Sequence, residues 1–364
     1  FVVSTNSQAG SRFLNEARVA WTRVANKVLQ ENQGESLSNQ VGLPELSPNP
    51  RDWGMALVSV AGFSSLGHEF NNPQEGKTNH WQFSDTLTWT SGRHLVNFGG
   101  EARLLRQQAF RDVQARGLLQ FSGLITTNPL ADLLLGLPTV TVGATLDNPQ
   151  DLRGSSYAAF LQDSIELSPT VTLSAGLRYE VNVPPVDAEN RVNLYDPATG
   201  TLVPAGEGDM PRAGYETDLN NFAPRLGLAW AAKESTVVRG GYGISYDQAA
   251  LAPNEFLYFN QPYFNLSTYF SIPNLYTLTL NDPFPANFPF PLPVSATAVD
   301  RNLRTGYLHQ WNASVQQRLG NRRSIEVGYV GSLGRNLIAA RDINQPPPSN
   351  AQSNPRPNPA FADI

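Results

Sequence analysis

The side chains with a capacity for chemistry are few and scattered. Four histidines, His68, His80, His94 and His309, share no ligand spacing, so they read as isolated polar or interfacial residues and not as a metal set. The chain has no cysteine, which excludes disulfides and thiolate metal sites. "GGYG" at 240–243 has the glycines of a phosphate loop, but it carries no lysine and follows no strand-to-helix switch. These glycines are expected instead to thin a wall or to relieve strand curvature. No nucleophile, base and orienting group recur together, so the chain is expected to be a non-enzyme without cofactor or metal. Two other groups stand out. Arg178, Glu180, Arg239, Gln310, Asn312 and Gln316 alternate with apolar residues. The stretch 252–295 is crowded with rings, among them Phe256, Tyr258, Phe259, Tyr263, Phe264, Tyr269 and Phe270, between many prolines. Stiffened rings offer platforms for a sugar or a peptide side chain, and they serve equally to pack a long loop against itself.

The elements that hold these residues have a period of two. In "VTLSAGLRYEV" (171–181), Val171, Leu173, Ala175, Leu177, Tyr179 and Val181 take one face, and Thr172, Ser174, Gly176, Arg178 and Glu180 take the other. "WQFSDTLTWT" (81–90) and "HLVNFGGEAR" (94–103) form a hairpin of the same kind. So do 156–165 with 171–181, 221–230 with 237–246, and 308–319 with 324–331. Residues 14–24 read as one more strand with Ala17, Val19 and Trp21 outward, or as a helix. The turns at 91–93, 166–170, 231–235 and 320–323 are short. The links at 104–155, 182–222 and 247–307 are far longer than compact soluble domains use. Within the first link, "NPLADLLLGLP" (128–138) reads as a short helix with Pro129 in its first turn and Gly136 as its stop.

Ten-residue strands, short turns alternating with long loops, and fully polar second faces match a membrane barrel with a wet interior. On that reading the apolar faces meet lipid and the six polar residues named above face the lumen. Trp89 and Trp230 lie beside short turns, and Trp81 and Tyr246 near long links, as two aromatic girdles require. Asp85 breaks the pattern by falling between Phe83 and Leu87 on the apolar register. A bulge that turns it inward, or a strand that partly leaves the bilayer, would reconcile it. The fold class is therefore all-β: an antiparallel transmembrane β-barrel, partial, of about ten strands, with long extracellular loops. Charged residues make up 16% of the 364, against about 25% in soluble domains. A net charge of -5 without a basic stripe gives no reason to expect nucleic acid. A surface adhesin anchored by the same barrel, or a soluble carbohydrate-binding β protein, would share much of this pattern.

The motifs "NPLADLLLGLP", "YAAFLQDSIELSPTVTLSAGLRYE" (157–180), "NFAPRLGLAW" (221–230), "VVRGGYGISYDQ" (237–248) and "HQWNASVQQRLGNRRSIEVGYVGSLGRNL" (309–337) resemble the barrels of TonB-dependent outer-membrane receptors. They are most similar to the Oar-like group, whose members carry a carboxypeptidase-regulatory-like domain. The resemblance implies a barrel of about 22 strands around an N-terminal plug. It implies ligand import, of an oligosaccharide or a peptide for example, with energy from the TonB complex. No plug, regulatory domain or final aromatic strand is recognisable, so residues 1–364 are read as a barrel fragment in the outer membrane. Its expected partners are the lipid bilayer, TonB through a missing plug, and an unknown extracellular ligand.

Overall fold

The computed structural model describes residues 1–247, 251–349 and 354–364. Sixteen strands are present among them: β1 (Val2–Ala9), β2 (Phe13–Val28), β3 (Leu57–Val60), β4 (Gln74–Ser91), β5 (His94–Arg111), β6 (Leu118–Phe121), β7 (Val140–Leu146), β8 (Gln150–Ser168), β9 (Val171–Asp187), β10 (Asn193–Asp196), β11 (Thr201–Pro204), β12 (Asn221–Lys233), β13 (Thr236–Tyr246), β14 (Phe264–Phe270), β15 (Tyr307–Leu319) and β16 (Arg323–Arg335). Ten of them, β1-β2-β4-β5-β8-β9-β12-β13-β15-β16, form one antiparallel sheet in chain order. This is the expected wall of hairpins. Residues 14–24 lie inside β2, which settles that stretch as strand.

The register gives the sheet two faces. Leu177 stands opposite Leu161 and Pro224, and Leu226 opposite Ala175 and Tyr242, so the apolar sides of adjacent strands coincide. Leu161, Leu177, Leu226, Phe83 and Trp89 are all exposed there, as an outward lipid-facing side demands. Trp21 packs against Trp81 at 6.0 Å, and Tyr246 against Tyr307 at 5.3 Å, towards the ends that lead into the long links. Phe13 stacks on Trp89 at 6.4 Å beside the short turns. Asp85 does not turn inward. β4 pairs continuously with β2 and β5 without a bulge, and the carboxylate stays on the apolar face, 2.6 Å from Asn15 Nδ2. The amide of the adjacent strand supplies the polar partner that the bulge was expected to make unnecessary.

The strands β4, β5, β8 and β9 run to 17–19 residues, longer than the ten that their alternation predicts. They extend past the apolar band towards the long links, where the outer face carries Arg106 and Asp151, 2.6 Å apart. The links at 29–73, 112–149 and 247–306 are not structureless. They contribute β3, β6, β7 and β14 to a second sheet of order β14-β7-β6-β3, in which β3 and β6 run parallel. Residues 248–250, within one link, and Gln248, which ends the quoted "VVRGGYGISYDQ" motif, lie outside the described residues. The helix read at 128–138 is present as α2 of the three short α-helices among the described residues (α1, Leu37–Gln40; α2, Pro129–Leu134; α3, Ala252–Phe256). Asn128 Oδ1 caps α2 by accepting from Leu130 and Ala131. Gly136 follows it with φ +69°, a conformation that favours glycine.

Candidate functional site

Two regions qualify: the polar face of the large sheet and the layer that the long links build at one end of it. On the polar face, Glu101 of β5 is the hub. Its Oε1 accepts from Gln82 Nε2 at 2.7 Å and from Arg103 Nε, and its Oε2 lies 3.1 Å from an Arg178 guanidinium nitrogen. Arg178 Nε also donates to Glu180 Oε1 at 2.5 Å. Arg178, Glu101 and Glu180 are 14%, 11% and 6% exposed, so solvent screens the group poorly and each charge is matched locally. Arg178 and Glu180 thus fall where their alternation puts them, on the face turned away from the apolar band. Glu101, Arg103 and Gln82 belong with them, although sequence reasoning did not single them out as site residues. The available signal was a second Glu and Arg two residues apart in the neighbouring hairpin, the same spacing as Arg178 and Glu180.

Further along the same face, Arg239 donates to Gln316 Oε1 at 3.0 Å. Gln310 and Asn312 stand opposite Gly243 and Gly241. The glycines do thin the wall there, since a Cβ on Gly241 would lie 3.0 Å from Asn312 Nδ2.

The layer of links has two buried clusters. One gathers Leu43, Ala56, Val58, Val60, Leu119 and Phe121, and the other Leu152, Val192, Leu194, Ala205, Leu257 and Tyr258. Each large apolar side chain buried in this way contributes about 1.5–3 kcal/mol. The aromatic stretch belongs to this packing. Phe288 sits among Tyr269, Phe270, Tyr276 and Phe290 at 5.1–6.0 Å, each edge to face. Phe259 meets Phe264 edge-on at 5.1 Å. Phe284 lies over Gly117 and Gly143, where an added Cβ would come within 2.4 Å and 3.2 Å of its ring.

Two of the seven rings expected to touch ligand are therefore core residues. Tyr258 is fully buried, its hydroxyl donating to Asp187 Oδ2 at 2.5 Å, and burial pushes its pKa up. Phe264 is 8% exposed at the start of β14. Phe259, Tyr263, Tyr269 and Phe270 are half-buried, and Phe256 is exposed. Rings spaced along a proline-rich stretch found one another, because burial against neighbouring rings removes more apolar area than display to water.

Polar bolts hold the layer to the sheet. Glu255 on α3 accepts from Gln107 and lies 3.0 Å from Arg111, both on β5. Arg116 joins two links, donating to Asp112 Oδ2 at 3.3 Å and to the carbonyls of Asp52 and Glu69 at 3.2 and 2.7 Å. Burial raises the Asp112 pKa to about 7 against the opposing pull of Arg116. His68 accepts from the Met55 amide, and its pKa is lowered by burial and by Arg116. His94 pairs with Asp163 at 2.8 Å, and His309 with the Tyr242 hydroxyl at 2.8 Å. Among the described residues no three His, Asp or Glu side chains converge as a metal set.

Residues 1–364 match the family described as "Outer membrane beta barrel domain". No curated protein matches. Among solved structures the chain is similar to the outer membrane transporter YddB from Escherichia coli, at 11% identity and a TM-score of 0.49, over 90% of this chain and 33% of that one. It is similar to the ferric-catecholate import receptor Fiu from E. coli K12, at 11% identity and a TM-score of 0.40, over 90% of this chain and 40% of that one. It is also similar to the siderophore receptor PiuA from Acinetobacter baumannii, at 10% identity and a TM-score of 0.36, over 98% of this chain and 48% of that one. The chain thus spans between a third and a half of the length of these proteins.

Proposed function

The chain belongs to the outer membrane beta barrel domain family, its apolar face lying against the lipid of the outer membrane, and from that membership we propose that it is part of a receptor that binds an extracellular solute and imports it with energy delivered through TonB. The observation that carries this reading is the division of the sheet. A lipid-facing side backs onto a wet side with an organised ion-pair network, and a folded layer of links stands at one end of it. A polar, charge-bearing inner wall suits a water-filled path for solute. The motifs quoted above favour the Oar-like group within the TonB-dependent receptors, and an oligosaccharide or a peptide is the ligand class we favour. The same reading assigns no catalysis to the chain, and it leaves contact with TonB to a plug outside this sequence.

The test is a comparison of spent medium. Cells carrying the full-length gene, cells lacking it and cells lacking TonB are grown on a complex glycan and peptide mixture, and the residual solutes are measured by mass spectrometry. Solutes depleted only when both the receptor and TonB are present support import. Depletion that ignores TonB, or equal media from cells with and without the gene, overturns it in favour of surface adhesion.

A further inference from the structure

The arginines of the polar face differ in their pairing; Arg18 on β2, opposite Ser84, is exposed and in no ion pair among the described residues, but it stands strands away from the others. On β5 and β9, Arg103 and Arg178 are neutralised by Glu101 and Glu180. On β12, β13 and β15, among the described residues, Arg225, Arg239 and Arg318 form no ion pair. Arg239 bonds the neutral Gln316 amide, and Arg318 bonds the Glu234 backbone carbonyl at 3.3 Å. All three are exposed and share one face. Arg225 stands opposite Gly243, and Arg239 is on β13 itself. Arg318 donates its backbone N–H to the Ser235 carbonyl. Measured along β13, the three therefore recur every four residues, at 243, 239 and 235, a step of about 13 Å. At the first rung and just beyond it the face is floored by Gly243, Gly241 and Gly227, so the wall is thin where the guanidinium groups project. Glu326 lies on the same face opposite Gln316, and among the described residues it makes no ion pair.

We propose that Arg225, Arg239 and Arg318 form a stepwise binding track for a small solute bearing carboxylate or phosphate groups, running from the link layer towards the short turns. Guanidinium groups take either anion through paired N–H donors. Arginines already neutralised by a carboxylate have little left to offer, which marks the unpaired set as the functional one. Each rung is exposed, so a single contact is weak. Several weak contacts in line let a solute enter and still leave, as a conduction path requires. The track rests on the import reading and names the chemical class of the solute.

The probe is calcein, a fluorescent polycarboxylate, titrated by anisotropy against full-length protein in neutral detergent at low and high salt, with rhodamine 6G as the cationic control and tripolyphosphate as competitor. The track predicts salt-sensitive calcein binding that tripolyphosphate displaces. It predicts a loss of about tenfold or more in the Arg225→Gln/Arg239→Gln double variant, equivalent to about 1.4 kcal/mol. Arg225→Lys/Arg239→Lys should keep most of the affinity, and Arg12→Gln, in the turn between β1 and β2, should leave it unchanged. Should the double variant fail to fold, as judged by β-sheet circular dichroism, Arg239→Gln against Arg239→Lys decides by the same criterion. Equal calcein affinity in the Gln variants and the wild type, or rhodamine 6G bound as tightly as calcein, overturns the track. Calcein binding through the arginines in a protein that depletes nothing from the medium would refute import and keep the track. TonB-dependent depletion with calcein affinity indifferent to the arginines would do the reverse.

Discussion

Leu177 and Ser174 are three residues apart on β9 and meet opposite surroundings. Leu177 is 48% exposed on the apolar side, while Ser174 shares a 2.8 Å hydrogen bond with Ser164 on the polar side. Leu177→Arg would put a guanidinium against lipid, at about 2–4 kcal/mol near mid-membrane. Ser174→Arg would put it on the wet face. Folding yield into lipid vesicles, read by urea titration, should fall for the first variant and hold for the second; equal yields would mean that the faces are exchanged. This face assignment was legible in the sequence because a period of two needs no tertiary information. Asp85 was not. Whether an apolar strand keeps a carboxylate on its outer face depends on the residue across the sheet, and Asn15 is 70 positions away. The same limit hid Tyr258, whose partner Asp187 ends a strand 71 residues earlier.

The hairpins announced themselves by local alternation, but the second sheet did not. Its strands are short, β3 and β6 having four residues each, and two of its three pairings join different links. Four residues carry too little pattern to be told from loop. Phe284 shows how these links depend on one another, for its ring fills the space above glycines of another link, Gly117 and Gly143. Phe284→Ala would empty that space at a cost of about 1.5–3 kcal/mol, below that of a fully buried phenylalanine because the ring is half-buried. Hydrogen exchange should then accelerate across 112–149 and 264–270, with β8, β9 and β12 protected as before. Acceleration spread evenly over the ten-strand sheet would show instead that the layer holds the wall together.

Every short turn of the large sheet, at 10–12, 92–93, 169–170, 234–235 and 320–322, lies at one end, and every long link lies at the other. The segment after β16 joins the links. Val294 bridges Phe361, and Asn344 donates to the carbonyls of Asn358, Phe361 and Ala362. By the rule that outer-membrane barrels keep short turns on the periplasmic side, this asymmetry predicts the turns in the periplasm and the layer outside the cell. The cysteine-free sequence makes it testable: an impermeant thiol reagent on intact cells should label Asn281→Cys and spare Lys233→Cys, and the opposite pattern would invert the molecule. The two sheets also differ in how far the chain must travel to build them. In the wall each strand pairs with the next wall strand along the chain, and the widest gap between neighbours is the link from Tyr246 to Tyr307. In the layer, Leu57 meets Leu118, and Leu146 waits for Phe264. Loop closure grows costlier with separation, and non-local pairing is slow. Each wall hairpin can therefore form from local contacts, while the layer closes only when β14 reaches β7 from far along the chain, so an open mouth precedes the covered one in the life of each molecule.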